Sequence, residues 1–242
     1  MSSISGPEEP KNPTEIFLEL DAKKGVFFYY DKNAQERVEI ELPMVGILLD
    51  QVNCISGFCE RFQSKIYSNE VRNVKKEKLY VRSYVQPGIK TEGMYADIMP
   101  NIATLGAKFT SSLYFYIKIK GRGVLVNLKL KSAACNAWIE FFNKHKNELR
   151  NKAVCFRGVL DAKKGSNEYK KLVIGTTDLT EETKSRAIEM DKNVLQPYLK
   201  YALVSKYVQN KVDNDPVDVN PSFDEPVYND TPHSDGVDDL PF

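Results

Sequence analysis

Strict alternation of apolar and polar side chains runs through Lys78-Leu79-Tyr80-Val81-Arg82-Ser83-Tyr84-Val85. Because successive side chains of a β-strand point to opposite faces, this pattern predicts a strand with one buried side. The apolar positions would face the core, and Tyr80, Arg82 and Tyr84 would face the solvent. The predicted strand therefore exposes tyrosines and a cation side by side.

Residues 113–131 repeat this pattern and predict a β-hairpin. Apolar side chains alternate from Leu113 to Ile119, a turn follows at residues 121–123, and residues 124–131 return as a second strand. The outward positions of the first strand and the turn hold Tyr114, Tyr116, Lys118, Lys120 and Arg122. We therefore expect the two stretches to form one continuous groove lined by rings and positive charges. The competing interpretation is that the tyrosines cover a second apolar layer, since tyrosine is common in ordinary strands.

The formal net charge of +1 conceals a strong separation of charge along the chain. Residues 212–242 contain eight Asp, one Glu and no Lys or Arg, which gives this segment a charge of −9. The rest of the chain holds 34 basic and 24 acidic residues, a net charge of +10. Nine cations and two acids lie within residues 78–131, where the tyrosine rows are. A basic body joined to an acidic tail is typical of proteins that handle nucleic acids.

The chemistry-bearing residues do not have the spacing of a metal or catalytic site. Cys54, Cys59, Cys135 and Cys155 form no CxxC pair, and the two histidines lie far apart in the sequence. The acids of the body are scattered singly, and residues 106–112 lack the spacing of a phosphate-binding loop. We therefore expect no cofactor, no metal and no enzymatic activity. The lack of a signal peptide or a membrane-spanning run predicts a cytoplasmic protein, in the host cytoplasm if a phage encodes it.

Short strands separated by turns are predicted for most of the chain. Besides those above, they are expected near residues 16–20, 26–30, 37–42, 46–62, 154–160 and 169–174. Helices are expected at about 97–105, at 132–149 with Ser132 as the N-cap and Trp138 in the core, and from Asp178 or Thr180 to about 209 with a kink at Pro197.

Two local features complete the predicted order of elements. Gly57 is expected to mark a bulge or bend, and residues 65–76 a polar connection.

The order of the elements predicts a mainly β (α+β) fold, an OB-like antiparallel barrel with an inserted helix and a C-terminal helical segment. A β-sandwich fits the same pattern. The expected organisation is a flexible lead (1–13), a folded domain (14–210) and a disordered acidic tail (211–242).

Exposed rings that alternate with cations suit a single-stranded nucleic acid. Unpaired bases offer flat faces for stacking at every step, and the phosphates between them need positive charge. The candidate contact residues on the two stretches are Tyr80, Arg82, Tyr84, Tyr114, Tyr116, Lys118, Lys120 and Arg122. The neighbouring connection adds the secondary candidates Tyr67, Arg72, Lys75 and Lys76.

The chain ends in Asp238-Asp239-Leu240-Pro241-Phe242. This segment resembles the acidic tip of bacterial and phage single-stranded-DNA-binding proteins, in which acids precede Ile-Pro-Phe; here Leu240 stands in place of the isoleucine. The resemblance implies that the tip recruits replication, recombination or repair enzymes. Shorter stretches, residues 26–31, 66–71 and 95–98, are similar to single-stranded-DNA-binding proteins of tailed phages. The body does not resemble the bacterial tetrameric protein, which leaves the oligomeric state open.

These observations predict a sequence-independent single-stranded-DNA-binding protein that coats and protects exposed strands and holds partner enzymes through its tip. One alternative is a single-stranded-DNA-annealing or recombination protein, which would form rings or filaments and accelerate strand pairing. Another is a non-catalytic adaptor whose basic face binds an acidic partner.

Overall fold

A computed structural model of the chain describes residues 11–21, 23–31, 33–83 and 90–208. The strands in these ranges are β1 (Ile16–Asp21), β2 (Val26–Asp31), β3 (Glu36–Ile40), β4 (Met44–Cys59), β5 (Ser64–Ser68), β6 (Leu79–Ser83), β7 (Lys90–Gly93), β8 (Ala107–Ile119), β9 (Arg122–Lys131), β10 (Lys152–Lys164) and β11 (Asn167–Asp178). The α-helices are α1 (Tyr95–Thr104), α2 (Ser132–His145), α3 (Glu181–Met190) and α4 (Gln196–Val208). Short 3-10 turns lie at Glu60–Phe62 and Glu148–Arg150, and a π-helical turn at Asp191–Leu195 joins α3 to α4.

All eleven of these strands belong to one sheet. They pair in the order β3-β2-β1-β9-β8-β4-β5-β6-β7, while β10 pairs with β4 and carries β11. The β1–β9 pair is parallel, and the other named pairs are antiparallel. Among the described strands no pairing joins β3 to β7, so the sheet is open. The predicted mainly β class with a C-terminal helical segment is therefore confirmed, whereas this strand path does not close into a barrel.

One face of the sheet forms the main hydrophobic core beneath α1 and α2. Its centre is a group of rings in which Trp138 contacts Phe115 and Phe156 at centroid distances of 6.1 and 6.4 Å. Trp138 is fully buried, and its indole N–H donates to Gln51 Oε1 at 3.0 Å. The prediction that the sole tryptophan belongs to the core is confirmed, because the apolar side of α2 packs on the sheet.

The opposite face of the sheet is covered in its middle by the C-terminal helices. Leu195 and Leu199 pack with Val52 of β4, Tyr114 of β8 and Leu125 of β9 in a second, smaller cluster. The alternation in β8 does separate the two faces as predicted. Both faces of this strand are nevertheless buried along residues 109–117.

The expected exposure of Tyr114 and Tyr116 is wrong. Tyr114 is 1% exposed and Tyr116 3% exposed, so neither ring has a face open to a base in this structure. Alternation shows which side chains share a face, but it does not show whether a distant segment covers that face. Here the competing interpretation, a second apolar layer, describes the β8 tyrosines.

Several local predictions are confirmed at the C-terminal end of the described chain. The Thr180 side chain caps α3 by accepting a hydrogen bond from the Thr183 amide at 3.3 Å. The α-helical segment is interrupted by the π-helical turn at Asp191–Leu195, which ends two residues before Pro197, whose ring nitrogen cannot donate the hydrogen bond that a regular helix requires.

Other local predictions fail. The expected connection at residues 65–76 contains strand β5, and β4 runs through Gly57 without a bulge there, since its register shift lies between Leu48 and Asp50. Ser132 does not cap α2: it adopts φ 50°, and the residue at the cap, Lys131, makes no side-chain capping bond. Within the described residues, no helix combines the length and apolar character needed to span a bilayer.

Candidate nucleic-acid interface

A row of side chains crosses five neighbouring strands on the uncovered part of the second face. The strand registers pair Lys108 with Ser56, Ser56 with Tyr67, Tyr67 with Arg82, and Arg82 with Lys90. Residues directly opposite each other point to the same side of a sheet, so this row spans four inter-strand spacings, about 19 Å. Ile66, Leu79 and Val81 face the main core. Tyr67 and Arg82 follow Ile66 and Val81 in the chain, so their side chains point to the opposite face of the sheet.

More rings and cations lie on either side of this row. Phe58, which is 47% exposed, pairs with Lys65, while Lys131 pairs with Thr110 and Lys129 with Ser112. The surface they form together, here named the basic–aromatic face, comprises Phe58, Lys65, Tyr67, Tyr80, Arg82, Lys90, Lys108, Lys129 and Lys131. Six positive charges and three rings thus share one surface.

Two polar side chains position Tyr67 and Tyr80 on this face. Ser68 Oγ accepts a hydrogen bond from the Ile55 amide at 2.8 Å, which ties the end of β5 to β4. Asn69 Oδ1 accepts from the Tyr80 amide at 2.7 Å, and Asn69 Nδ2 donates to the Lys78 carbonyl at 3.1 Å. Side-chain bonds of this kind fix β6 against β5 where the regular ladder ends.

Two glycines bring the ends of β4 and β8 close together. A Cβ on Gly57 would lie 2.5 Å from the Gly106 carbonyl oxygen, and Gly106 itself adopts φ 72°. A side chain at residue 57 would therefore force the two strands apart. This close approach explains the glycine that the sequence suggested as a bend, and it holds Phe58 and Lys108 on adjacent strands.

The acids near the basic–aromatic face lie at its margins. Glu92 is paired with Tyr80 on the outermost strand, and Glu19 with Lys129 on β1. Glu70 accepts hydrogen bonds from Ser112 Oγ and Tyr114 Oη, each at 3.2 Å, beside the C-terminal helices. Within the described part of the chain, the six positive charges of the face therefore outnumber these three carboxylates.

Burial and the nearby Glu70 carboxylate both disfavour ionisation of the covered tyrosines. Removal from water raises the pKa of Tyr114 well above its usual range, and the Glu70 charge adds to the effect. The same causes raise the pKa of Tyr198 to about 12. Both phenols are therefore neutral at ordinary pH, and the Tyr114 hydroxyl donates its proton to the hydrogen bond with Glu70.

The remaining predicted contact residues lie elsewhere. Arg72 donates to Asp50 Oδ1 at 2.7 Å and contacts Gln196 at 3.5 Å, so it ties the body to α4. Lys75 and Lys76 are exposed in the turn between β5 and β6. Lys118 donates to Thr183 Oγ1 at 3.0 Å at the start of α3.

Lys120 and Arg122 occupy the tip of the β8–β9 hairpin, where Arg122 pairs with Glu15 at 2.6 Å. From Lys108 to Lys118 is about 33 Å of extended strand. The single continuous groove that the sequence predicted is therefore divided in two, with α4 and the π-helical turn between its ends. Tyr84 and the tip residues Asp238, Asp239, Leu240, Pro241 and Phe242 lie outside the described residues.

Six members of the basic–aromatic face were not among the predicted contacts: Phe58, Lys65, Lys90, Lys108, Lys129 and Lys131. The excess of cations in residues 78–131 was a signal for four of them. Their convergence depends on the register of β8, β4, β5, β6 and β7, which no single stretch of sequence specifies.

The described ranges contain no group of three or more His, Cys, Asp or Glu that could hold a metal ion. In comparisons with known proteins, no family model, no curated protein and no solved structure matches this chain.

Proposed function

We propose that this protein binds single-stranded DNA without sequence preference through the basic–aromatic face. The observation that supports this most directly is the row in which Tyr67 stands between Arg82 and the small Ser56, with Lys108 and Lys90 at its two ends. The ring of Tyr67 can stack on an unpaired base while the cations at both ends of the row meet phosphates. Stacking uses the flat face that every base has, so it gives affinity without sequence discrimination.

The wider role follows from this binding mode. A protein that covers the bases and phosphates of an exposed strand blocks reannealing and nuclease attack. On the resemblance of residues 238–242, we propose that the tip docks replication, recombination or repair enzymes onto the coated strand. We also propose an opened, elaborated form of the OB-type fold for the body, which the five adjacent antiparallel strands β8-β4-β5-β6-β7 support.

Fluorescence polarisation of a labelled oligo-dT at several salt concentrations tests the proposal. An external label is used because Trp138 is fully buried and its ring does not contact a strand bound at the surface. Each phosphate contact to a single strand contributes about 0.7 to the slope of log affinity against log salt. Replacing Arg82, Lys90 and Lys108 by alanine should therefore weaken binding and reduce that slope by about 2.

Lys144 and Lys146 provide the matched control. Both are exposed at the end of α2, which packs on the opposite side of the sheet. Alanine at these two positions removes surface lysines without touching the basic–aromatic face, so the salt slope should stay within about 0.3 of the wild-type value. Equal losses in the two variants, or no binding of oligo-dT by the wild-type protein, would contradict the proposal.

A further inference from the structure

A second cationic surface lies at the far end of β8. It is an open groove of about 750 Å³ between the tip of the β8–β9 hairpin and the helical segment formed by α3 and the π-helical turn. Its walls carry Lys120 and Arg122 from the hairpin and Arg186 from α3, together with the acid Glu189. Met190 and Val194 form an apolar part of the same wall.

The two arginines are held by exposed ion pairs that a stronger acceptor can replace. Arg122 pairs with Glu15 at 2.6 Å and Arg186 with Glu182 at 2.7 Å, and both guanidinium side chains are more than half exposed. Ion pairs in such exposed positions contribute little to stability. A phosphate presents several oxygens to the planar guanidinium fork and makes charge-assisted bonds with it, so it can compete with these carboxylates.

The backbone at the hairpin tip places a lysine in an unfavourable conformation. Ile119 pairs with Arg122, and the two residues between them, Lys120 and Gly121, have φ values of 50° and 79°. Asn, Asp or Gly suit a left-handed position in such a two-residue turn far better than lysine does. The turn places the Lys120 side chain at the edge of the groove.

The floor of the groove can form only because residue 123 is a glycine. A Cβ on Gly123 would overlap the ring and hydroxyl of Tyr116, which forms part of the groove lining. The buried Tyr116 therefore closes the bottom of the groove against the hairpin, and the cations stand around its rim.

We propose that this groove is a second contact for the same nucleic-acid strand, where Lys120, Arg122 and Arg186 hold a phosphate and the Met190–Val194 wall adjoins the attached nucleoside. This inference rests on the proposed function. The groove and the basic–aromatic face lie at opposite ends of β8, so a DNA strand that reaches both must pass around α4. Such a path covers more than the length of β8 between Lys108 and Lys118, about 33 Å.

The length of the oligonucleotide distinguishes the two contacts. An oligo-dT of about four nucleotides, the lower limit for sites of this kind, is too short to reach both surfaces at once, and we expect it to bind the basic–aromatic face, which offers more cations and rings. One of about 30 nucleotides can reach both surfaces, even at the stacked spacing of about 3.4 Å per nucleotide. Replacing Lys120 and Arg186 by alanine should weaken binding of the long oligonucleotide about tenfold and lower its salt slope by about 1.4, while binding of the short one is unchanged.

Lys120→Gly is a second variant that separates binding from folding. Glycine removes the ammonium group and suits the left-handed turn, so the protein should unfold at the same temperature as wild type or higher while binding of the long oligonucleotide falls. The Lys144→Ala, Lys146→Ala protein is the control. If the groove variants bind the long oligonucleotide as wild type does while the Arg82, Lys90, Lys108 variant does not, the groove inference is wrong and the proposed function stands. If wild type binds neither oligonucleotide, the proposed function itself is wrong.

Discussion

Tyr67 and Tyr114 carry the same side chain on the same face of one sheet, but their surroundings give them different roles. Tyr67 is 38% exposed and lies between Ser56 and Arg82. Tyr114 is 1% exposed, and its hydroxyl donates to Glu70 beneath α4. A tyrosine with an open ring can stack on a base, whereas a covered one contributes to packing and hydrogen bonding.

Replacing Tyr67 by alanine should weaken oligo-dT binding by about 1–3 kcal/mol, the range for loss of one stacked base. Tyr67→Phe keeps the ring and should bind nearly as wild type does. Polarisation titrations at one salt concentration measure both. Tyr30→Ala is the control, since Tyr30 is 44% exposed on β2 at the far side of the sheet. An affinity loss for Tyr30→Ala equal to that for Tyr67→Ala would argue against a specific stacking role.

Tyr114→Phe should lower the free energy of unfolding by about 1–2 kcal/mol, because the partly buried Glu70 loses one of its two donors. Urea unfolding monitored by circular dichroism measures the change. DNA affinity should not change, since the ring is covered. A large loss of DNA affinity without a loss of stability would show that Tyr114 does contact the bound DNA.

Stability should fall as the pH rises above about 10. The pKa of Tyr198 is raised to about 12 by burial and by the Glu70 charge, so between the unfolded and folded pKa values the folded state holds a proton that the unfolded chain has lost. The stabilising contribution is complete below pH 10 and disappears towards pH 12. Denaturant unfolding across this interval measures the slope, and Tyr198→Phe should make it shallower. An unchanged slope would exclude Tyr198 as its source.

At the scale of elements, the C-terminal helices decide how much of the second face is open. Leu195 and Leu199 are fully buried against the sheet, and Gln196 Nε2 donates to Asp50 and Asp191 at 2.9 Å each. Arg72 joins this network through Asp50. One apolar cluster and one polar network thus hold α4 over the middle of β8.

Leu199→Ala should lower the free energy of unfolding by about 2–5 kcal/mol, because it leaves a cavity beneath α4. Hydrogen exchange should accelerate in residues 196–203 and in residues 112–116 of β8, which α4 covers. Exchange measured by mass spectrometry detects both. The α2 substitutions Lys144→Ala and Lys146→Ala should leave these rates unchanged. Faster exchange confined to α4 would show that β8 does not depend on this cover.

At the scale of the whole molecule, the charge is divided between a basic body and an acidic segment at residues 212–242. The basic–aromatic face and the hairpin groove both draw on the positive charge of the body. A negatively charged segment on the same chain lowers the attraction of the body for phosphates, and this effect is screened as salt rises.

Removing residues 212–242 changes the net charge from +1 to +10 and should strengthen oligo-dT binding at low salt. The difference from the full chain should shrink as the ionic strength approaches about 1 M, where charges interact over only about 3 Å. Titrations of both proteins across a salt series measure this. Weaker binding after the removal would indicate that the segment contributes contacts to DNA.

Most individual elements of this protein can be predicted from local sequence. The alternation in residues 79–83 and 113–119 identifies β6 and the end of β8 and separates their faces, because a strand repeats every two residues. Helical spacing likewise identifies the apolar side of α2 and the core position of Trp138. The acidic segment is evident from composition alone.

The candidate site is only partly predictable by the same means. Tyr67, Tyr80 and Arg82 were recognised from their own stretches, but Phe58, Lys65 and Lys108 joined them only through strand register. Only the tertiary structure decided that α4 covers Tyr114 while Tyr67 stays open, and that the sheet runs as an open path. Those outcomes depend on which distant segments pack together, and that choice is made by the summed burial of many side chains rather than by the pattern within any one strand.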